Sequence, residues 1–201
     1  MIRHMVEQGS QQWHELRLGM ITSTRLKKLM GSTNLDLMDE LIAEQELGYS
    51  DEDDFISDDM QRGIDLEPLA IEAYEFAKSV KTEMVGMLQS DEIPLLSVSP
   101  DRLVGDNGAV EVKCPRTKTH IKAIRQGGVP NEYKYQVLMY FLVHEKLEWL
   151  DFVSYDPRLI RKPLYIYRVE RQDIAHDLEQ ARQACIKFIA KMEKYREEVF
   201  F

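Results

Sequence analysis

The chain has 201 residues, 44% of them hydrophobic, which is length and apolar content enough for one substantial core. Its 26 basic side chains stand against 35 acidic ones, and a net charge of −9 is the reverse of the balance usual in a simple non-specific DNA binder. Two cysteines, Cys114 and Cys185, supply neither a disulfide framework nor a four-cysteine set for zinc or an iron–sulfur cluster, and no apolar run reaches the roughly 18 residues of a membrane span.

The N-terminal residues Met1-Ile2-Arg3-His4 lead into polar sequence without a signal-peptide core, so an intracellular, cytoplasmic protein is expected. Helical periodicity covers residues 11–47 with a break at Gly31. Within it Thr22, Ser23 and Thr24 precede an amphipathic run over 25–30. One of them reads as a helix N-cap, and a helix start attracts phosphate, although a cap alone also accounts for the hydroxyls. Six acids between Asp51 and Asp59 read as a solvated loop.

An apolar-periodic stretch from Met60 to Phe76 contains Pro68, which predicts a kink or interruption there, with a helix from Pro68 to about residue 79 and Glu67 biased out of the α region. Strands are expected over 82–88, 95–99, 102–104, 109–114, 148–155 and 164–169, with helices at 118–125 and 130–144 between the fourth and fifth. In the second of these helices Tyr133, Val137, Tyr140 and Phe141 form a core stripe, and Gln136 lies one step off it. Residues 172–198 form one long amphipathic helix through Ile174, Leu178, Ala181, Cys185, Phe188, Ile189 and Met192. The expected architecture is α/β, a central mixed β-sheet flanked by helices, in one domain over 1–201.

Chemistry concentrates where Ser99-Pro100-Asp101-Arg102-Leu103-Val104 passes through Gly105-Asp106-Asn107-Gly108 into Ala109-Val110-Glu111-Val112-Lys113-Cys114. The glycines and Asn/Asp supply the positive φ of a tight turn, so the segment reads as a β-hairpin with Asp101 nearly opposite Glu111. Alternation puts Glu111 and Lys113 on one face, about 7 Å apart, with Val110, Val112 and Cys114 behind. Two facing carboxylates with no histidine cluster select a hard cation, Mg²⁺ or Mn²⁺. A metal held by Asp101 and Glu111, with Lys113 beside it, is the layout of a nuclease site. Read from these residues alone, an ordinary exposed Glu111–Lys113 pair accounts for the pattern equally well.

Pro100-Asp101 with Glu111-Val112-Lys113 resembles the signature of the PD-(D/E)XK nucleases, and more of the chain resembles one branch, the phage lambda-type alkaline exonuclease or YqaJ-like viral recombinase family. Four segments carry the resemblance in family order: Trp13 to Ser23; Arg62-Gly63 through Glu67 to Tyr74-Glu75; the hairpin with Cys114-Pro115; and Tyr135-Gln136-Val137 followed by Tyr155-Asp156-Pro157-Arg158. The resemblance implies a PD-(D/E)XK restriction-endonuclease-like core in which Asp101, Glu111 and Lys113 are catalytic. It implies that Glu67, Asp101, Glu111 and the backbone carbonyl of Val112 hold metal, two ions per site, and that Arg17, Thr24, Ser99 and Gln136 bind a DNA 5′-phosphate. Arginine suits that task because its planar fork grips two phosphate oxygens. Arg102 is a departure, standing where glycine is common.

The implied activity is Mg²⁺-dependent digestion of one strand of linear duplex DNA from the 5′ end to mononucleotides, leaving a 3′ overhang for a phage-type single-strand annealing protein. The implied assembly is a trimeric ring around the DNA, in a bacterial host carrying the phage or prophage. Basic groups near the site, Arg17, Arg25, Lys27 and Lys28 and then Arg116, Lys118, Lys122 and Arg125, suit a DNA backbone or a solvated helix face. The alternatives are a restriction-like or structure-selective endonuclease on the same fold, separable by its action on circular DNA, and a non-catalytic DNA-end-binding module, separable by metal titration.

Overall fold

The computed structural model describes residues 1–31, 34–50 and 57–200. In chain order it runs β1 (Ile2–His4), α1 (Gln11–Arg17), α2 (Ser23–Met30), α3 (Asn34–Leu47), α4 (Asp58–Lys78), β2 (Met87–Gln89), β3 (Ser97–Val98), β4 (Arg102–Val104) and β5 (Gly108–Lys113). It continues with α5 (Thr117–Gln126), α6 (Lys134–Val143), β6 (Trp149–Tyr155), β7 (Leu164–Glu170) and α7 (Ala175–Phe200). The class is α/β as expected, but the described strands form two sheets. An antiparallel β1-β2-β3 sheet stands beside a mixed β4-β5-β6-β7 sheet in which only β5 and β6 run parallel.

Strand β5 is the pivot of the mixed sheet. On one face Val110, Val112 and Cys114 pack with Val153 against Ala70, Ile71 and Tyr74 of α4. On the other, Ala109 joins the larger core built from α2, α3, α6, α7 and both sheets. Helix α6 lies inside that core, buried all round from Val137 to Val143 rather than along one stripe.

Three local expectations change. The span 11–47 breaks a second time at residues 18–22, where Gly19 takes φ +65° and Ile21 bridges to Leu96, so α1 and α2 are separate helices. Pro68 does not interrupt α4, which runs through it from the Ser57 N-cap. Leu66 packs before the proline and Ala70, Ile71 and Tyr74 after it, holding the helix on course, while the ring lies on the exposed side. Of the acidic segment, Asp58 and Asp59 sit in the first turn of α4, where the helix dipole favours them, and residues 51–56 lie outside the described residues.

Candidate active site

The hairpin forms as its turn residues dictate, with Gly105 at φ +58° and Arg102 paired to Val110, a register that carries Asp101 across from Glu111. Because Val110, Val112 and Cys114 face α4, Glu111 and Lys113 project from the opposite face of β5, the side where Ala109 meets α6. Lys113 Nζ lies 2.5 Å from Glu111 Oε1 and 5.4 Å from the ring centroid of Tyr133. The hydroxyl of Tyr140 donates to Glu111 Oε2 at 2.5 Å and accepts the backbone N–H of Asp101 at 3.1 Å. Asp101 Oδ2 in turn accepts the N–H of Val112 at 2.6 Å, so the Asp101 carboxylate is fixed by the backbone and that of Glu111 by one buried phenol.

Glu67 reaches the same place from α4. It stands one turn before Ala70 and Ile71 on the inward stripe of that helix, so the apolar stripe begins with a carboxylate. Its Oε1 is 3.3 Å from Nη1 of Arg102, which also donates to the carbonyl of Asp101 at 2.5 Å. Arg62, one turn further back, donates to the carbonyls of Cys114 and Pro115 at 2.7 and 3.2 Å and fastens α4 over the end of β5. Glu67, Asp101, Val112, Lys113 and Tyr133 line one cleft of about 570 Å³.

Burial, the facing Glu111 and then Glu67 push the Asp101 carboxyl well above its usual range, against the pull of Lys113. Burial also raises Glu67, with Glu111 adding to the effect and Arg102 opposing it. Burial works against the Lys113 ammonium, but the charges of Glu111 and Asp101 outweigh it and keep the group protonated. Among the described residues no three His, Cys, Asp or Glu side chains close into a finished metal cage. The donors nevertheless fit a hard divalent cation: a rigidly held, all-oxygen carboxylate pair whose negative charge is under-compensated, with Glu67 on the same cleft but turned to Arg102.

A second cluster lies upstream. Ser99 Oγ accepts from Trp13 Nε1 at 2.9 Å and from Arg17 Nη1 at 3.1 Å, and the Arg17 guanidinium stacks 4.0 Å from the Trp13 ring centroid. Burial and the neighbouring Arg25 bring Arg17 down to about 10, with Glu44 pulling the other way, so it remains a cation at neutral pH. Arg17, Thr22, Thr24 and Arg25 line a cleft of about 500 Å³. Thr22 is the N-cap of α2 by position, yet its hydroxyl does not cap the helix and lies 3.3 Å from that of Thr24.

Arg17 and Ser99 are thus in contact and Thr24 shares the Arg17 cleft, while Gln136, on α6, has a buried Oε1 without a hydrogen-bond partner. The sequence reading missed Tyr140, taken for a core residue, and Trp13, taken only as part of a motif. The available signal was chemical: a buried tyrosine hydroxyl or indole N–H needs a partner.

A family model described as the YqaJ-like viral recombinase domain matches residues 12–146. Among solved structures, the alkaline exonuclease LHK-Exo from Laribacter hongkongensis is 32% identical with a TM-score of 0.79, over 94% of this chain and 98% of that one. LHK-Exo in complex with dAMP matches at 31% identity with the same TM-score and coverage. A phage-related exonuclease from Haemophilus somnus 129PT, 14% identical with a TM-score of 0.59 over 90% of this chain and 96% of that one, shares the fold. No curated protein sequence matches.

Proposed function

The chain belongs to the YqaJ-like viral recombinase family and is a DNA exonuclease of the alkaline exonuclease kind, and from that premise we propose that it digests one strand of linear duplex DNA from the 5′ end to mononucleotides. One observation carries this reading. Ser99, bonded to Arg17, stands two residues before Asp101, so an anion-seeking guanidinium and the carboxylate pair are joined by one short segment.

Asp101, Glu111, Glu67 and the carbonyl of Val112 would hold Mg²⁺, up to two ions, with Mn²⁺ substituting. A divalent ion bound there lowers the pKa of a water and neutralises charge on the phosphodiester. Lys113, held protonated beside Glu111, would orient the attacking water or meet the negative charge that develops on the phosphoryl oxygens. Tyr140 keeps Glu111 and Asp101 from spreading, so the donors are in place before substrate arrives. Arg17 and Ser99, with Thr24 and Gln136, take the 5′-phosphate. The dAMP complex of LHK-Exo is in keeping with a mononucleotide product.

In this reading residues 1–201 act as one exonuclease domain with a PD-(D/E)XK core, and three copies close a ring on the DNA. Confinement by a ring substitutes for electrostatic affinity, which suits a net charge of −9. The 3′ overhang passes to a phage-type single-strand annealing protein in the cytoplasm of a bacterial host. In keeping with that setting, among the described residues no helix is long and apolar enough to cross a membrane.

The test follows linear duplex DNA in Mg²⁺, comparing 5′-phosphate with 5′-hydroxyl ends, wild type with Lys113→Ala, and linear with covalently closed circular substrate. The expected result is digestion of linear DNA by wild type, faster on the phosphorylated end, with a loss of roughly 100-fold or more in Lys113→Ala. Cleavage of intact circles, or full activity in Lys113→Ala, overturns the reading.

A further inference from the structure

Arg102 carries a guanidinium that is only 14% exposed and doubly attached. Its bond of 2.5 Å to the carbonyl of Asp101, on the adjacent residue, restricts where the group can lie, and from there the same Nη1 reaches Glu67 Oε1 at 3.3 Å. This is not a long surface side chain that has met a partner in solvent. Glu67, Asp101 and Lys113 line the cleft, with Glu111 paired to Lys113 and Arg102 paired to Glu67. Lys113 is committed to Glu111 from the same strand, whereas Arg102 engages Glu67, which comes from α4.

We infer that Arg102 is a built-in counter-ion that competes with the divalent metal for Glu67, so that full metal loading requires the Arg102–Glu67 pair to open. The inference rests on the reading of Glu67 as a metal ligand given above. Its physical basis is that a lone pair engaged by an N–H is lost to a metal. Even if the other oxygen ligates, a guanidinium at hydrogen-bond distance repels a divalent ion in a site too enclosed for full screening. Arg102 therefore sets how much metal the enzyme needs, and it stabilises the site while metal is scarce.

Mn²⁺ binding to the full chain without DNA, followed by the electron paramagnetic resonance of free Mn²⁺, tests this directly. Arg102→Gln is expected to bind Mn²⁺ about tenfold more tightly than wild type, with Arg102→Lys in between. Glu67→Gln binds more weakly, and adding Arg102→Gln to Glu67→Gln gains at most about twofold. Thermal melting in EDTA reports whether each variant is folded, and should place Arg102→Gln below wild type without metal and show a larger gain on adding Mn²⁺. If Arg102→Gln does not fold, the comparison of Arg102→Lys with wild type decides. Unchanged or weaker binding in the folded Arg102 variant overturns the inference, as does equal tightening with Glu67 present or replaced. A wild type that degrades linear DNA and binds Mn²⁺, with no response to Arg102, overturns this inference alone. If neither wild type nor any variant binds Mn²⁺, the metal reading falls with it.

Discussion

Tyr140 is 1% exposed, and its single hydroxyl serves Glu111 as donor and the Asp101 N–H as acceptor. Tyr140→Phe keeps the ring and the packing but leaves a buried carboxylate oxygen and a backbone N–H short of a partner. The expected cost is about 1–3 kcal/mol, seen as a melting temperature lower by several degrees. The exonuclease rate is expected to fall about tenfold or more because the proposed metal donors lose their brace; melting and steady-state digestion measured on the same preparation check both. Asp101, Glu111 and Lys113 were legible in the sequence because strand alternation and a glycine-rich turn leave little freedom in where such residues point. Tyr140 was not, because periodicity reports that a position is buried and says nothing of what its polar tip meets. Arg17 was legible only through resemblance, since its partner Ser99 lies far off along the chain.

Helix α3 is tied to the break between α1 and α2 by Glu44, which is 4% exposed, accepts the Gly19 N–H at 2.8 Å and lies 2.5 Å from Arg25 Nη2. Burial alone would raise the Glu44 carboxyl, but hydrogen bonds from Arg25 and Gly19 and the Arg25 charge outweigh it and hold the group below its usual value. A carboxylate depressed in the folded state contributes stability in full above its unfolded pKa of about 4.3 and loses it as pH falls through the folded value. Glu44→Gln should therefore cost about 3 kcal/mol near neutral pH, and progressively less below about pH 4. Melting curves of both proteins across that range check the sign: a gap that widens on acidification would be the wrong one. The break itself needs Gly19, whose positive φ excludes most residues and where a Cβ would fall 2.2 Å from Gln45 Cγ. A single glycine in a helical pattern does not announce this, because the constraint comes from α3. Pro68 misled in the opposite direction, since packing on both sides of it kept α4 whole.

At the scale of the molecule, β5 separates a large core from the layer under α4, and the acidic cluster sits where the two meet. The α/β class was legible from alternating patterns. The division into two sheets was not, because β1, β2 and β3 have two or three residues each and their pairing is a long-range choice. If three copies form the ring, light scattering on the eluted protein should give about three times the 23.5 kDa of the chain, whereas the mass of one chain would remove the ring from the proposal. Apolar surface for such contacts exists, with Phe76 88% and Ile160 87% exposed. The Ser99-Pro100-Asp101 strap has a consequence for how the enzyme advances. Consecutive Cα atoms are 3.8 Å apart, so the proposed grip at Ser99 and the proposed cut at Asp101 are separated by at most about 7 Å of backbone, with proline stiffening the middle. Such a strap is a ruler: in the proposed function the stride of the enzyme, one nucleotide per cycle, is set by covalent geometry and not by how tightly the DNA is held.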